Sequence, residues 1–151
     1  MILIADSGST KTSWILHAPG HTPQHIGTSG INPFYQPKSS IVNILNTELL
    51  PSLNGHGAPE AVYFYGAGCS QDDRIIIVID SLRQAFPNAH IEVEHDLMAA
   101  ARALCGKEAG IACILGTGSN SCLYDGVNII DNVPSLGFII GDEGGGGYIG
   151  R

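Results

Sequence analysis

Three short stretches of the chain carry residue types that can do chemistry. The first is "DSGSTKTS", Asp6 to Ser13, which separates two apolar runs near the N-terminus. Reversing the chain would need only two residues, such as Asn-Gly or Asp-Gly. A turn of Gly, Ser and Thr can instead aim several N–H groups and hydroxyls at one point, which makes a nest for an anion. Asp6 would repel that anion unless a cation lay between them. A carboxylate with phosphates and waters is a typical magnesium environment, and Lys11 can add a point charge. Taken alone, the stretch reads equally well as a decorated hairpin. It is not a Walker A loop, because no G-x-x-x-x-G-K-[ST] occurs.

The second stretch, "GTGSNS" at 116–121, also follows one apolar run and precedes another. Two such turns, each opening a unit of the same kind, form an internal repeat and favour a phosphate clamp over two unrelated hairpins. The third is Asp96, where the alternating "HIEVEH" meets the Ala-rich "LMAAARAL". A carboxylate there can accept a hydroxyl proton during phosphoryl transfer. It can also simply cap the helix. Glu92 and Glu94 alternate with the buried face and read as solvated strand residues.

These stretches must be positioned by the elements around them. Ile2–Ala5 and Thr12–His17 read as strands, "QHIGTSG" as a weaker third strand, and Pro37 opens a helix that runs to Leu50 and stops at Pro51. "AVYFYGAG" is a buried strand. Ser70 and Asp73 fit a capping box for a helix whose Ile75, Ile79, Leu82 and Phe86 recur at helical spacing before Pro87. "HIEVEH" is a strand, and the following helix ends at Gly106. A second unit then opens with "IACIL", the polar turn, "CLYD", a turn at Asp125-Gly126, and "VNII". The reading is therefore an N-terminal domain at 1–108 and the beginning of a second at 109–151. A full copy of the first unit would need further helices and strands after Gly150. The uncovered sheet leads us to expect a homo-oligomer or a loosely held C-terminal third.

Bulk properties narrow the partners. The chain has 151 residues, 44% apolar and 14% charged, which is a core-rich globular composition. Its net charge of −7 provides no basic patch for a nucleic-acid backbone. The longest strongly apolar run, "IIIVI", is too short to span a membrane. Cys69, Cys105, Cys113 and Cys122 form no C-x-x-C pair and no secretory signal precedes them, so they read as reduced, mostly buried thiols of a cytoplasmic protein. His17, His21 and His25 have metal-like spacing, but Pro19, Gly20 and Pro23 break any helix that would align them, so they read as loop histidines.

"DSGSTKT", "EHDLMAAARA", "LGTGSNS" and "GFIIGDEGGGG", in this order, resemble the N-terminal half of the N-acetylglucosamine kinase family. That wider family also holds the benzoyl-CoA reductase ATPase subunits. It belongs to the acetate and sugar kinase, heat-shock chaperone and actin superfamily. The resemblance implies an α/β fold: a ribonuclease-H-like mixed sheet flanked by helices (the actin-like ATPase fold), followed by the opening strands of a second such domain. It implies ATP-dependent phosphorylation of a hexosamine, N-acetylglucosamine or glucosamine, with ATP and Mg2+ as cofactors. Asp6 would hold magnesium, and Gly8, Ser9, Thr10 and Lys11 would contact the terminal phosphates. Gly116, Thr117 and Gly118 would clamp the phosphates from the other side. Asn32, Asn120 and Asp142 would hold the sugar, and Asp96 would be the general base. The chain departs from the family at Gly145, where serine is common, and at "VPSLGF", which replaces a tryptophan-containing glycine stretch. Two other readings are an ATP-driven activator of a reductase or dehydratase, with Cys105 and Cys113 as trial ligands of an iron–sulfur cluster, and a non-catalytic sugar or nucleotide sensor. A zinc-containing repressor-type sugar kinase is excluded, since its cysteine-rich metal loop does not occur.

Overall fold

The computed structural model describes residues 1–53, 55–133, 135–137 and 139–150. Pro134 and Phe138 of the "VPSLGF" stretch thus lie outside the described residues. The chain divides into two compact units, Met1–Asp96 and Leu97–Arg151.

In the first unit, β1 (Ile2–Ser7), β2 (Lys11–His17) and β3 (Gln24–Ser29) form an antiparallel meander. A helical segment follows, made of α1 (Lys38–Ile44), a π-helical turn (Leu45–Leu49) and α2 (Leu50–Ser52). Then come β4 (Ala61–Gly66), α3 (Asp72–Ala85) and β5 (His90–His95). The sheet order is β3-β2-β1-β4-β5, with β1, β4 and β5 parallel. The topology follows from connection length. Short turns suffice for the meander, whereas each parallel neighbour needs a helical crossover. The polar turn after β1, the loop after β4 and the end of β5 therefore lie at the same end of the sheet.

The buried face of the sheet carries Leu3, Ala5, Trp14, Val62, Phe64 and Val93. It forms one core with Ile41, Leu45 and Leu49 of the helical segment and Val78 and Leu82 of α3. Trp14 meets Phe64 at 5.9 Å between ring centroids, and its indole N–H donates to Thr28 Oγ1 at 2.9 Å. That bond satisfies the one polar atom the indole brings into the core.

Several sequence expectations need correction. The first polar turn is much shorter than the eight residues from Asp6 to Ser13, because pairing continues through Asp6↔Ser13 and Ser7↔Thr12 and leaves only Gly8–Thr10 unpaired. The pairing outlasts the apolar pattern because the buried hydroxyls of Ser7 and Thr12 bond each other at 2.6 Å. The first helix does not stop at Pro51. The π-helical turn shifts the bonding register just before the proline, which has no N–H to donate, and Ser52 Oγ takes the carbonyl of Glu48 at 2.9 Å. The Ser70–Asp73 capping box does not form. Gln71 is the N-cap and makes no side-chain capping bond, while Asp73 pairs with Arg74 Nε at 3.4 Å. His17 ends β2 and His25 lies within β3, so of these three only His21 lies in a loop. Cys113 is exposed and Cys105 half-buried, whereas Cys69 and Cys122 are buried as expected.

The second unit has its own helix, sheet and short C-terminal helical turn. Helix α4 (Asp96–Cys105) ends where Gly106 turns to φ +62° and donates to Arg102 O at 3.2 Å. Strands β6 (Gly110–Leu115), β7 (Ser119–Tyr124) and β8 (Ile129–Val133) form an antiparallel sheet in that order, and α5 (Gly146–Ile149) follows. As in the first unit, pairing runs into the polar stretch. Asn120 lies in β7 opposite Ile114, and only Gly116–Gly118 turn the chain. Strand β8 starts at Ile129 rather than Val127. The carboxylate of Asp125 accepts the N–H groups of Val127 and Asn128 at 2.7 and 2.6 Å and holds them in the turn. Ile111, Leu115 and Val133 remain 71%, 69% and 67% exposed. Among the described residues, no helix is long and apolar enough to cross a membrane.

Candidate functional site

In the first unit a candidate site is built at the carboxyl ends of β1, β4 and β5. Ser7, the last residue of β1, anchors the turn from beneath. Its hydroxyl donates to Ile31 O at 3.0 Å and accepts from Ile31 N–H at 3.1 Å. The exit of β3 is thereby tied to the exit of β1. Gly30 donates to Thr10 O at 3.1 Å and lies so close that a Cβ there would meet Gly8 O and Ser9 backbone atoms at 2.5 Å. Only glycine fits without moving the turn. Gly30→Ala should therefore destabilise the first unit by about 1–3 kcal/mol, as overpacking does, and disturb the turn. Urea unfolding of both forms tests this, and an unchanged midpoint would show that the turn yields freely.

The amides of Ser9 and Thr10 have no hydrogen-bond partner among the described residues. They are donors available to an anion. Asn32 is 6% exposed, and its side chain works within the loop: Nδ2 donates to Ser9 Oγ at 2.8 Å and Oδ1 accepts Phe34 N–H at 2.9 Å. Gln36 closes the same loop, donating to Gly30 O at 3.0 Å and accepting Asn32 N–H at 2.9 Å. Gly68 has φ +80°, and a Cβ there would run into Asn32 Oδ1, so the β4 exit packs directly on the asparagine. Ser7, Gly30, Gln36 and Gly68 are supporting residues that sequence reasoning missed. The glycines were the available signal, since they mark close backbone approach.

Two carboxylates share this end of the sheet. Asp6 lies one residue from the end of β1, and Asp96 begins α4 directly after β5. Partial burial raises the proton affinity of Asp6, the Asp96 carboxylate raises it further, and Lys11 offsets part of this. The two acids are thus within electrostatic reach of each other. The buried Cys69 has its thiol pushed up to about 12 by burial and by Asp96, so it remains protonated and inert. Asp96 Oδ1 lies 2.9 Å from Nδ1 of His95.

In the second unit the amides of Thr117 and Gly118 likewise have no partner among the described residues. The Gly116 and Thr117 carbonyls accept the N–H groups of Gly146 and Gly147 at 2.8 and 2.9 Å. Gly145 explains why the chain departs from serine here: a Cβ would lie 2.8 Å from the Gly118 carbonyl carbon. Asp142 adopts φ +60°, its carboxylate lies over Gly118, and it accepts the Ser135 hydroxyl. Asn120 Oδ1 accepts Asn132 Nδ2–H at 2.9 Å. Asn120, Ser135 and Asp142 line one open cavity of about 270 Å³, together with the apolar side chains of Leu115, Val133 and Leu136. Polar groups along an apolar wall suit a small hydroxylated ligand.

Among the described residues, no group of three or more His, Cys, Asp or Glu is placed to hold a metal ion. The donor set around Asp6 is one carboxylate beside a turn with open amides. It fits magnesium, which keeps several waters and completes its shell with phosphate oxygens. The charge balance fits as well, because a cation would relieve the repulsion between Asp6 and Asp96.

No family model matches the chain, and no curated protein matches it. Among solved structures, it is similar to a "putative N-acetylglucosamine kinase" from Porphyromonas gingivalis at 50% identity and a TM-score of 0.95, covering 100% of this chain and 54% of that one. A protein of the same description from Chromobacterium violaceum matches at 21% identity and a TM-score of 0.70, over 99% of this chain and 53% of that one. A ROK hexokinase from Thermus thermophilus matches at 15% identity and a TM-score of 0.54, over 89% of this chain and 50% of that one. The likenesses at 21% and 15% identity show the fold alone. The chain spans about half the length of each of these structures, and its fold is the mixed α/β, actin-like ATPase fold of these sugar kinases.

Proposed function

We propose that the protein serves an ATP-dependent sugar kinase that transfers phosphate to a hydroxyl of a hexosamine, N-acetylglucosamine or glucosamine. The observation that carries this reading is the pairing of Asp6 and Asp96 beside a turn with two open amides. Phosphoryl transfer needs an anchored cation, donors for the phosphates and a carboxylate to accept the hydroxyl proton. The 50% identical structure from Porphyromonas gingivalis supports the same reading.

Each residue then has a task. Asp6 would hold magnesium through water, and the bound ion supplies neutralisation of the phosphate charge. Ser9 and Thr10 offer amides to the terminal phosphates, Gly8 closes the turn by donating its N–H to Lys11 O at 3.0 Å, and Lys11 adds positive charge. Gly116, Thr117 and Gly118 offer a second set of donors. Asn120 and Asp142 hold sugar hydroxyls, with Asn132 and Ser135 fixing their orientation. Asn32 offers a sugar hydroxyl only the hydrogen-bonding capacity that Ser9 and Phe34 leave. Asp96 accepts the proton of the attacking hydroxyl. The deciding experiment is a phosphorylation screen with ATP across free hexoses, hexosamines and their N-acetyl forms. Transfer to an N-acetyl or free hexosamine is expected, and transfer confined to plain hexoses would overturn the substrate class.

We also propose that the chain associates with itself. Ile111 stands opposite Leu123 across the β6–β7 ladder, and the two side chains leave an open apolar surface. Such surfaces drive association. Sedimentation should show more than a monomer, or hydrogen exchange in β6–β8 should be much faster than in β1–β5. A strict monomer with uniform protection would contradict this.

A further inference from the structure

We infer that His95 is a positioning residue for the Asp96 carboxylate, an inference that rests on the proposed role of Asp96 as the base. Consecutive residues on a strand point to opposite faces and do not normally meet. Here no loop separates β5 from α4, and the change from strand to helix at this junction brings Nδ1 of His95 to 2.9 Å from Oδ1 of Asp96. Both side chains are largely shielded, at 25% and 18% exposure. His95 is held by its place in the sheet, paired in register with Gly66 of β4. Gly66 is itself fixed as glycine, since a Cβ would meet Phe64 Cε1 at 2.5 Å and Cys69 Sγ at 3.1 Å.

The consequence is orientational. The terminal torsion of an aspartate is soft, so the direction of its carboxylate is set by the partners it meets, His95 among them. A base must aim a lone pair at the hydroxyl it deprotonates. A hydrogen bond from Nδ1–H to Oδ1 fixes the plane of the carboxylate and with it the direction of Oδ2. It also fixes the ring tautomer, with the proton on Nδ1 when the imidazole is neutral. Asp6 and the thiol of Cys69 both lie within electrostatic reach of Asp96.

Two measurements on the full-length protein test this. Ring 15N NMR of His95, at a pH where the imidazole is neutral, should show the proton on Nδ1, and Asp96→Ala should abolish that preference. A proton on Nε2 in the wild type would overturn the proposal regardless of activity. Kinetically, His95→Gln should lower kcat about 10- to 100-fold, the range expected when a reacting group is slightly misplaced, with sugar KM within about twofold. His95→Asn should recover most of the loss, because its amide N–H sits where imidazole Nδ1 does. If Asp96→Asn loses turnover while His95→Gln does not, the positioning role is wrong and the base assignment stands. If Asp96→Asn keeps turnover, the base assignment fails, and His95 then has no catalytic group to position.

Discussion

Asp96→Asn is expected to lower phosphoryl transfer by roughly 10²- to 10⁴-fold, the usual cost of losing a general base. The substitution is nearly isosteric, and its conservative shape makes the test sharp. Asn serves a helix start about as well as Asp, so α4 should keep its first turn. The amide carbonyl of the substituted side chain can still accept the His95 Nδ1–H, so the local hydrogen bond survives. What disappears is the charge and the capacity to take a proton. Sugar affinity should change far less than turnover, because an amide still bonds hydroxyls. A second readout follows from the electrostatics. With the Asp96 charge gone, Asp6 loses one of the two influences that raise its proton affinity, and so does the thiol of Cys69. Both should then ionise at lower pH in the variant. Turnover, sugar binding and melting temperature measured together decide the matter. Unchanged turnover at unchanged stability would reduce Asp96 to a helix start.

The parts of this arrangement that were legible in the sequence are those with a local cause. Alternation marked the core strands, Gly106 marked the end of α4, and the two Gly/Ser/Thr stretches marked the turns. The sheet class could be read because a β-β-β-α-β-α-β order admits few topologies. Features that depend on contacts between distant segments were not legible. Ser7 looked like a loop residue because it is polar, yet its hydroxyl meets that of Thr12 and ties down Ile31 inside the sheet. Pro51 looked like a stop because the π-helical turn that admits it has no sequence signature of its own. His95 looked like one more alternating strand residue, and only the abrupt change of backbone at residue 96 turns it toward the carboxylate. Asn32 carried a role from resemblance, but its amide proves to organise the loop that supports Ser9.

Asp6→Asn should act in opposite directions on stability and on nucleotide binding. Burial and the Asp96 charge raise the folded-state pKa of Asp6 above its ordinary value. The folded protein therefore binds this proton more tightly than the unfolded chain does. Stability must then fall as pH rises from the ordinary aspartate value through the raised one, and the penalty stays in full above that window. At neutral pH the ionised Asp6 is a local cost, and Asn removes it. The variant without nucleotide should melt at or above the wild-type temperature near neutrality, and the difference should shrink as the pH is lowered through the window. The cost is the reason a divalent cation is attracted to this turn. Removing the charge should leave ATP binding with little dependence on magnesium, since the open amides of Ser9 and Thr10 remain but the anchor for the ion does not. Titrations of ATP with and without magnesium, together with melting curves across the pH window, test both halves. A variant that melts lower at neutral pH would show that Asp6 makes a stabilising contact instead. One that binds magnesium and ATP as the wild type does would make the first turn a hairpin and nothing more.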